Sequence, residues 1–370
     1  MSRPPFSPVI SALPKSVPFV GPEALERARG RPFRARLGAN ESIFGSSPEA
    51  IRVMREAVSE NWKYADPENY ELRVALSAFH GVSIDSIVIG EGIDGLLGLT
   101  CMMYLSPGGT VVTTDGAYPT FNFHAAAHGG RLVKVPMRDD REDLGALVVA
   151  ARRENARLLY VSNPNNPMGS WWDGAKINDL IANLPPETLL VLDEAYCDTA
   201  PDGTTPALDV TNPQVVRYRT FSKAYGLAGA RIGYAMACPD IIEAFDKMRN
   251  HYGINRIGQL GALAALHDQA YLAEAVARII RSRDKISEVA RQNGLVPLPS
   301  ATNFVSIDCG RDGVFAKRVL DKILACDVFI RKPVVDPQDR CIRVSCGRDI
   351  DLAIFEAALP DALRAARTTA

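Results

Sequence analysis

The sequence predicts an α/β protein: a mostly parallel central sheet flanked by helices, joined to a smaller α+β domain. Three observations predict it. Short β-branched apolar runs recur at 87–89, 111–114, 158–161, 189–192, 215–218 and 232–237, each with the length of a buried strand. Helical segments such as 94–104 and 176–183 separate most of them, and such alternation makes a parallel sheet covered on both faces. After Gly253 the texture changes to a long Ala-rich helical stretch, 259–292, followed by short strands at 304–307, 328–330 and 342–344.

In chain order, residues 1–35 read as an extended arm broken by five prolines in its first eighteen positions. One short helix from Pro22 to Arg29 is stopped by Gly30. Ser47 and Pro48 form a helix start, the serine as N-cap and the proline in the first turn. The helix that follows, to about Glu60, places Ile51, Met54 and Val58 on one face. A loop at 61–67 leads to a second helix at 71–79. Residues 36–255 hold the main sheet, and 256–370 form the smaller domain, closed by a helix from Asp349.

With 370 residues, two domains are the natural division. Hydrophobic residues make up 47% and charged residues 23% of the chain, as in soluble globular proteins. A net charge of −1 excludes a broad attraction to nucleic acid or an anionic membrane surface. No apolar run is long enough to span a bilayer, and the N-terminus lacks a signal-peptide core. Seven cysteines with no CxxC pair read as reduced thiols in a cytoplasmic enzyme, Cys341 and Cys346 among them as buried thiols. His124 and His128 are spaced i,i+4 without a carboxylate or third ligand, so no metal is expected.

In sheets of this kind, ligands bind beyond the carboxyl ends of the strands. The stretch from Thr220 to Arg231 has that place. Lys223 stands between a strand end and a Gly-bearing turn, flanked by the hydroxyls of Thr220 and Ser222, with Arg231 eight residues on. Two hydroxyls and a guanidinium can hold a phosphate dianion, and a lysine held among them is a candidate nucleophilic amine. The strand at 189–192 ends in Asp193, and a buried acid needs a cationic partner. Tyr196 follows it. The strand at 158–161 leads into a turn with Asn166, and that at 111–114 leads to Phe121. Gly90 to Gly95 is literally G-x-G-x-x-G between a strand and a helix, with Asp115 after the next strand. A dinucleotide-binding oxidoreductase is therefore an alternative. The same glycines also suit a single phosphate at a helix N-terminus, through Gly92 and Ile93.

Together these groups meet the needs of a phosphorylated pyridine aldehyde. Lys223 would take the aldehyde and Asp193 would pair with the ring nitrogen. Asn166 and Tyr196 would hydrogen-bond the ring oxygen, Phe121 would stack on the ring, and Gly92, Ile93, Thr220, Ser222 and Arg231 would hold the phosphate.

At this point the chain resembles the fold-type I pyridoxal-phosphate aminotransferases of class I/II, within them the histidinol-phosphate aminotransferase branch. The matching segments run from Arg36–Ser42 to Cys341–Gly347, and the ordered set Asn166, Asp193, Tyr196, Ser222, Lys223 and Arg231 is highly specific. The resemblance implies the aspartate aminotransferase-like fold, with 36–255 as the large pyridoxal 5'-phosphate (PLP)-binding domain. It also implies transamination between an amino donor and 2-oxoglutarate, a role in amino-acid biosynthesis, and a homodimer in which Tyr64 reaches the neighbouring subunit's phosphate site. Lys223, Asp193 and Tyr196 would be catalytic. Arg343 would clamp the substrate carboxylate, Arg331 its distal phosphate, and Asn166 and Phe19 would line the substrate. A PLP-dependent decarboxylase or lyase on the same scaffold is the nearest rival. Three positions depart from the family: Met168 for Thr, Phe121 for Tyr, and Phe19 for a tyrosine of the arm. Phe19 removes a donor and adds apolar surface, so the expected donors are histidinol phosphate and, in competition, aromatic amino acids.

Overall fold

The computed structural model describes residues 3–15 and 20–368. Its main sheet has seven strands. In chain order after the two-residue β1 (Ala35–Arg36) these are β2 (Ile87–Glu91), β3 (Thr110–Thr114), β4 (Arg131–Val135), β5 (Leu158–Ser162), β6 (Leu189–Asp193), β7 (Val215–Thr220) and β8 (Ile232–Met236). They lie in the order β2-β8-β7-β6-β5-β3-β4. Only β8 is antiparallel to its neighbours β2 and β7; the other pairings are parallel. The carboxyl ends of β5, β6 and β7 therefore share one rim, with Ser162 opposite Asp193 and Asp193 opposite Tyr218.

Strands β3, β5, β6 and β8 are buried along their whole length, as both-face coverage requires. One core cluster, around Leu96, Phe121, Tyr160 and Tyr218, lies on one face. A second, around Leu147, Leu159, Ile177 and Leu192, lies on the other.

A second unit is built on β9 (Val296–Pro297), β10 (Phe304–Asp308) and β12 (Cys341–Ser345), antiparallel in the order β12-β10-β9. Its core takes in Ile279, Phe315, Ile342 and Phe355 together with Ala35 and Leu37 from the start of the chain. Strand β1 pairs in parallel with β11 (Val328–Phe329), which ties the segment before the main sheet to this smaller unit.

The helix start at Ser47 is as read: its hydroxyl accepts from the Ala50 amide, and the helix runs Pro48–Ala57. Helix Pro22–Arg29 ends at Gly30 in the left-handed conformation. Three differences have physical reasons. The stretch read as one helix at 259–292 is two, Arg256–His267 and Gln269–Gln292, because Asp268 caps the second through the Tyr271 amide. Strand β4 was not anticipated, since it is a partly exposed edge strand whose Arg131 and Lys134, one on each face, break the apolar run. The arm also contains a short helix at Pro8–Ala12, capped by Ser7.

The dinucleotide reading fails on topology. Strand β2 sits at one edge of the sheet, and β3, which precedes Asp115, is sixth in the order. A dinucleotide site needs the two strands in one βαβ unit. Asp115 instead pairs with Lys134 at 3.3 Å.

Candidate active site

A cavity of about 240 Å³ opens at the rim of β5, β6 and β7, and eight of the expected residues line it: Ile93, Asn166, Asp193, Tyr196, Thr220, Ser222, Lys223 and Arg231. Each is delivered by local structure. Strand β6 ends on Asp193, and the next residue, Glu194, is buried with Arg217 at 2.7 Å and Arg219 at 3.0 Å. Asp193, 5% exposed, has no such cation within ion-pair distance among the described residues. Its Oδ2 accepts from the Tyr160 hydroxyl at 2.7 Å and its Oδ1 from the Ala195 amide at 2.9 Å. Burial pushes its carboxyl up to about 6, although both hydrogen bonds pull the other way. A ring N–H⁺ would relieve that penalty.

Across the cavity the Lys223 ammonium donates to the Asn40 carbonyl at 3.2 Å and lies 5.5 Å from the centre of the Tyr196 ring. The Tyr196 hydroxyl accepts from the Asn40 amide at 3.1 Å and from Asn166 at 3.5 Å. Asn166 sits on a turn pinned by its neighbours. Asn163 donates to the Trp172 and Thr204 carbonyls, and Asn165 accepts from the Met168 amide and donates to Glu142.

The end of the cavity at Arg231 has the groups to cradle an anion. Helix Gly92–Tyr104 begins without a side-chain cap, so its first amide N–H groups remain available to an anion. Arg231, in the left-handed conformation before β8, brings its guanidinium to the Ser222 hydroxyl at 3.5 Å and to the Glu91 carbonyl at 3.5 Å. The Thr220 hydroxyl accepts from the Ser222 amide at 3.0 Å. Gly92 does not line the cavity but permits this approach: a Cβ there would lie 2.3 Å from an Arg231 nitrogen. Asp94, the acid of this cradle, accepts from Tyr118 at 3.0 Å and lies 3.7 Å from Arg231.

Arg343, on β12, joins the site through Asn166, whose side-chain oxygen accepts from its guanidinium at 2.6 Å. It has no carboxylate partner among the described residues, and its Nε has no acceptor. Burial lowers its pKa to about 10. A half-buried cation in that condition calls for an anion. Arg331 lies beside it, the two backbones exchanging N–H···O bonds at 3.1 and 2.6 Å. The Arg331 guanidinium also donates to Val20 of the arm at 2.7 Å.

Two expected residues lie elsewhere. Phe121 is fully buried and stacks on Tyr160, with ring centroids 4.5 Å apart and planes at 14°, so it cannot face a ligand. From this segment it is Tyr118, just before the helix Pro119–Ala127, that reaches the cavity, whereas Phe121 is on that helix's buried face. Tyr64 is 77% exposed, packs its ring at a tilt against Tyr252 and is outside the cavity. Phe19 lies outside the described residues. Met168 lines a larger cavity of about 910 Å³ behind the turn, with Trp172 and Glu142, rather than the site itself. Sequence reasoning missed Asn40, Tyr118 and Tyr160. Tyr118 was within reach, since it opens the same segment as Phe121; nothing local marked Asn40 or Tyr160.

Among the described residues no three His, Cys, Asp or Glu side chains group to hold a metal, and no helix is long and apolar enough to cross a membrane. The seven cysteines are all free, Cys341 and Cys346 buried.

A fold of this topology, with a lysine facing a buried acid beside an anion cradle, defines a class of cofactor-dependent group-transfer enzyme. Residues 35–355 match the model of aminotransferase class I and II. The chain belongs to that family. It is 52% identical to the histidinol-phosphate aminotransferase of Sinorhizobium meliloti, solved in complex with pyridoxal-5'-phosphate, with a TM-score of 0.96 over 98% of both chains. It is 34% identical to the histidinol-phosphate aminotransferase of Moorella thermoacetica over 88% of this chain and 84% of that one. The corresponding figures for the Anaeromyxobacter sp. enzyme of the same name are 35%, 92% and 94%. The aspartate aminotransferase of Thermus thermophilus, at 23% identity and a TM-score of 0.80, shares the fold.

Proposed function

We propose that this protein is a PLP-dependent aminotransferase that takes the amino group of histidinol phosphate and passes it to 2-oxoglutarate. One observation carries the reading. A lysine amine and a buried carboxylate without a cationic partner line a single cavity, whose end is an anion cradle held open by Gly92. The residues fit PLP in charge at each point: anion at Asp193, donors at Ser222, Arg231 and the helix N-terminus, and the nucleophilic amine at Lys223.

When bound, PLP supplies an aldehyde that receives the amino group and a ring that withdraws electrons from the substrate Cα. The chain's own residues do the rest. Lys223 would hold the aldehyde at rest, and its Nζ, once freed by the substrate amine, would take the proton from the substrate Cα and deliver it to the former aldehyde carbon. Asp193 keeps the ring nitrogen protonated. Asn166 and the Tyr196 hydroxyl fix the ring oxygen, and Tyr118 offers the aromatic face. Arg343, already tied to Asn166, would receive the α-carboxylate of 2-oxoglutarate or glutamate next to the reacting atoms. Arg331, its cross-strand neighbour, takes the phosphate end, close to the arm at Val20.

The active unit is a homodimer. The support is Tyr64, a large ring left 77% exposed on a loop away from its own cavity. The seven free thiols suit a reducing, cytoplasmic setting.

An amino-donor screen with 2-oxoglutarate tests the substrate assignment. Histidinol phosphate should give the highest kcat/KM, with phenylalanine and tyrosine as weaker donors, and Lys223→Ala should abolish turnover with all three. A preference for a donor lacking a phosphate would overturn the substrate assignment.

A further inference from the structure

We infer that Tyr160 is a positioning residue for Asp193, fixing one carboxylate oxygen so that the acid stays charged and aimed into the cavity, with Phe121 holding Tyr160 in place. The inference rests on the PLP reading of this site and goes a layer deeper into it.

The geometry is specific. On the neighbouring strands β5 and β6, Tyr160 pairs with Val191 and Ser162 with Asp193. Side chains two apart point to the same face, so Tyr160 and Asp193 are diagonal neighbours. Tyr160 is fully buried and its hydroxyl donates to Asp193 Oδ2 at 2.7 Å, a short, charge-assisted bond. The Ala195 amide holds the other oxygen. Two donors on two oxygens leave the carboxylate little freedom to turn. The Phe121 ring lies nearly parallel to Tyr160 at 4.5 Å and is itself fully buried, so the phenol cannot tilt away without disturbing that stack.

The surroundings make the bond necessary. The charged groups that act on Asp193 are Asp94, which disfavours its charge, and Lys223, which favours it. Buried Glu142, hydrogen-bonded to Ser162 and Asn165, also feels the Asp193 charge. Burial is the largest influence and raises the carboxyl; the Tyr160 hydrogen bond is the largest influence against it. Without that phenol, Asp193 would hold its proton to higher pH and meet the ring nitrogen as a neutral acid.

The test is PLP affinity of the apoenzyme, measured by protein fluorescence from pH 5 to pH 8. Borohydride trapping and peptide mapping run beside it to show where the cofactor attaches. Wild-type affinity should fall on the acid side as Asp193 protonates. In Tyr160→Phe, which keeps the ring and its stack, that acid limb should move up by about one pH unit, the scale of one hydrogen bond to a charged group. Phe121→Leu, which keeps the hydroxyl but loosens the ring, should move it less. In an Asp193→Asn background, Tyr160→Phe should add no shift, because the two act through one group. Superimposable profiles for wild type and Tyr160→Phe would overturn the inference, as would equal shifts in Tyr160→Phe and Phe121→Leu. Cofactor trapped away from Lys223 in wild type would instead sink the PLP reading.

Discussion

Replacing Gly92 by alanine should cost PLP affinity while leaving the fold in place. Gly92 has φ of +72°, and a Cβ there would stand 2.3 Å from one Arg231 nitrogen and 3.0 Å from its guanidinium carbon. Neither contact is tolerable. The backbone of the rim is fixed, because the β2–β8 pairing, with Gly90 opposite Gly233, runs to Glu91 opposite Ile232, immediately before Gly92. The guanidinium, about half exposed, is the part that can swing. It must leave the position from which it faces the helix N-terminus and Ser222. Folding bears the left-handed conformation of an alanine, about 1–2 kcal/mol, and the melting temperature should drop by a few degrees. Binding bears the loss of a charge-assisted hydrogen bond to phosphate, about 1.5–3 kcal/mol, or roughly 10- to 150-fold in Kd. The assay is titration of apoenzyme with PLP and, separately, with pyridoxal, which has no phosphate. PLP should weaken by that factor and pyridoxal hardly at all. In an Arg231→Ala background the Gly92→Ala penalty on PLP should largely disappear. Equal weakening of PLP and pyridoxal, or full additivity with Arg231→Ala, would refute the steric argument.

Glu142 gives a stability prediction. Burial pushes its carboxyl up to about 8 from the ordinary 4.5, so across that window the folded state binds more protons than the unfolded chain. Its contribution to stability is therefore lost as pH rises from about 4.5 to about 8, by at most about 1.4 kcal/mol per pH unit. Glu142→Gln should flatten that decline in denaturant melts, and parallel pH slopes would contradict it. Asp193→Asn should stay folded yet lose most of the half-reaction rate, because an amide cannot keep the ring nitrogen protonated; near-normal single-turnover rates would dismiss the role. Arg331→Ala should lower kcat/KM for histidinol phosphate by one to two orders of magnitude, from about 1.5–3 kcal/mol, with little change for phenylalanine. An equal fall for both would make Arg331 structural. Mixing inactive Lys223→Ala with Tyr64→Phe subunits should redistribute activity if sites are shared, and a fully active monomer would exclude sharing.

Much of this site is legible in sequence because its parts end strands. Asp193 closes β6 and Thr220 closes β7, so a run of apolar residues followed by an acid or a hydroxyl marks the rim before any fold is known. Arg231 and Gly92 could be read too, since a glycine opening a helix and a nearby arginine imply an anion. What escaped depends on contacts across the fold. Tyr118 and Phe121 are three residues apart, and only the orientation of the helix Pro119–Ala127 decides which ring meets the cavity and which meets Tyr160. Asn40 sits with φ of +56° on the segment between β1 and the main sheet, and reaches Lys223, Tyr196 and Ser345 at once. No local pattern announces such a junction. Strand β4 hid because an edge strand carries charges that a central one does not.

The central claim is that Lys223 and Asp193 serve amino-group transfer rather than bond cleavage elsewhere on the substrate. The most direct measurement is a single half-reaction: PLP-loaded enzyme mixed with one equivalent of histidinol phosphate and no oxo acid, followed by absorbance and by product analysis. Transamination predicts one equivalent of pyridoxamine phosphate and one of the carbonyl product, with the original spectrum restored by 2-oxoglutarate. A product formed with the cofactor still in its aldehyde form would contradict the account.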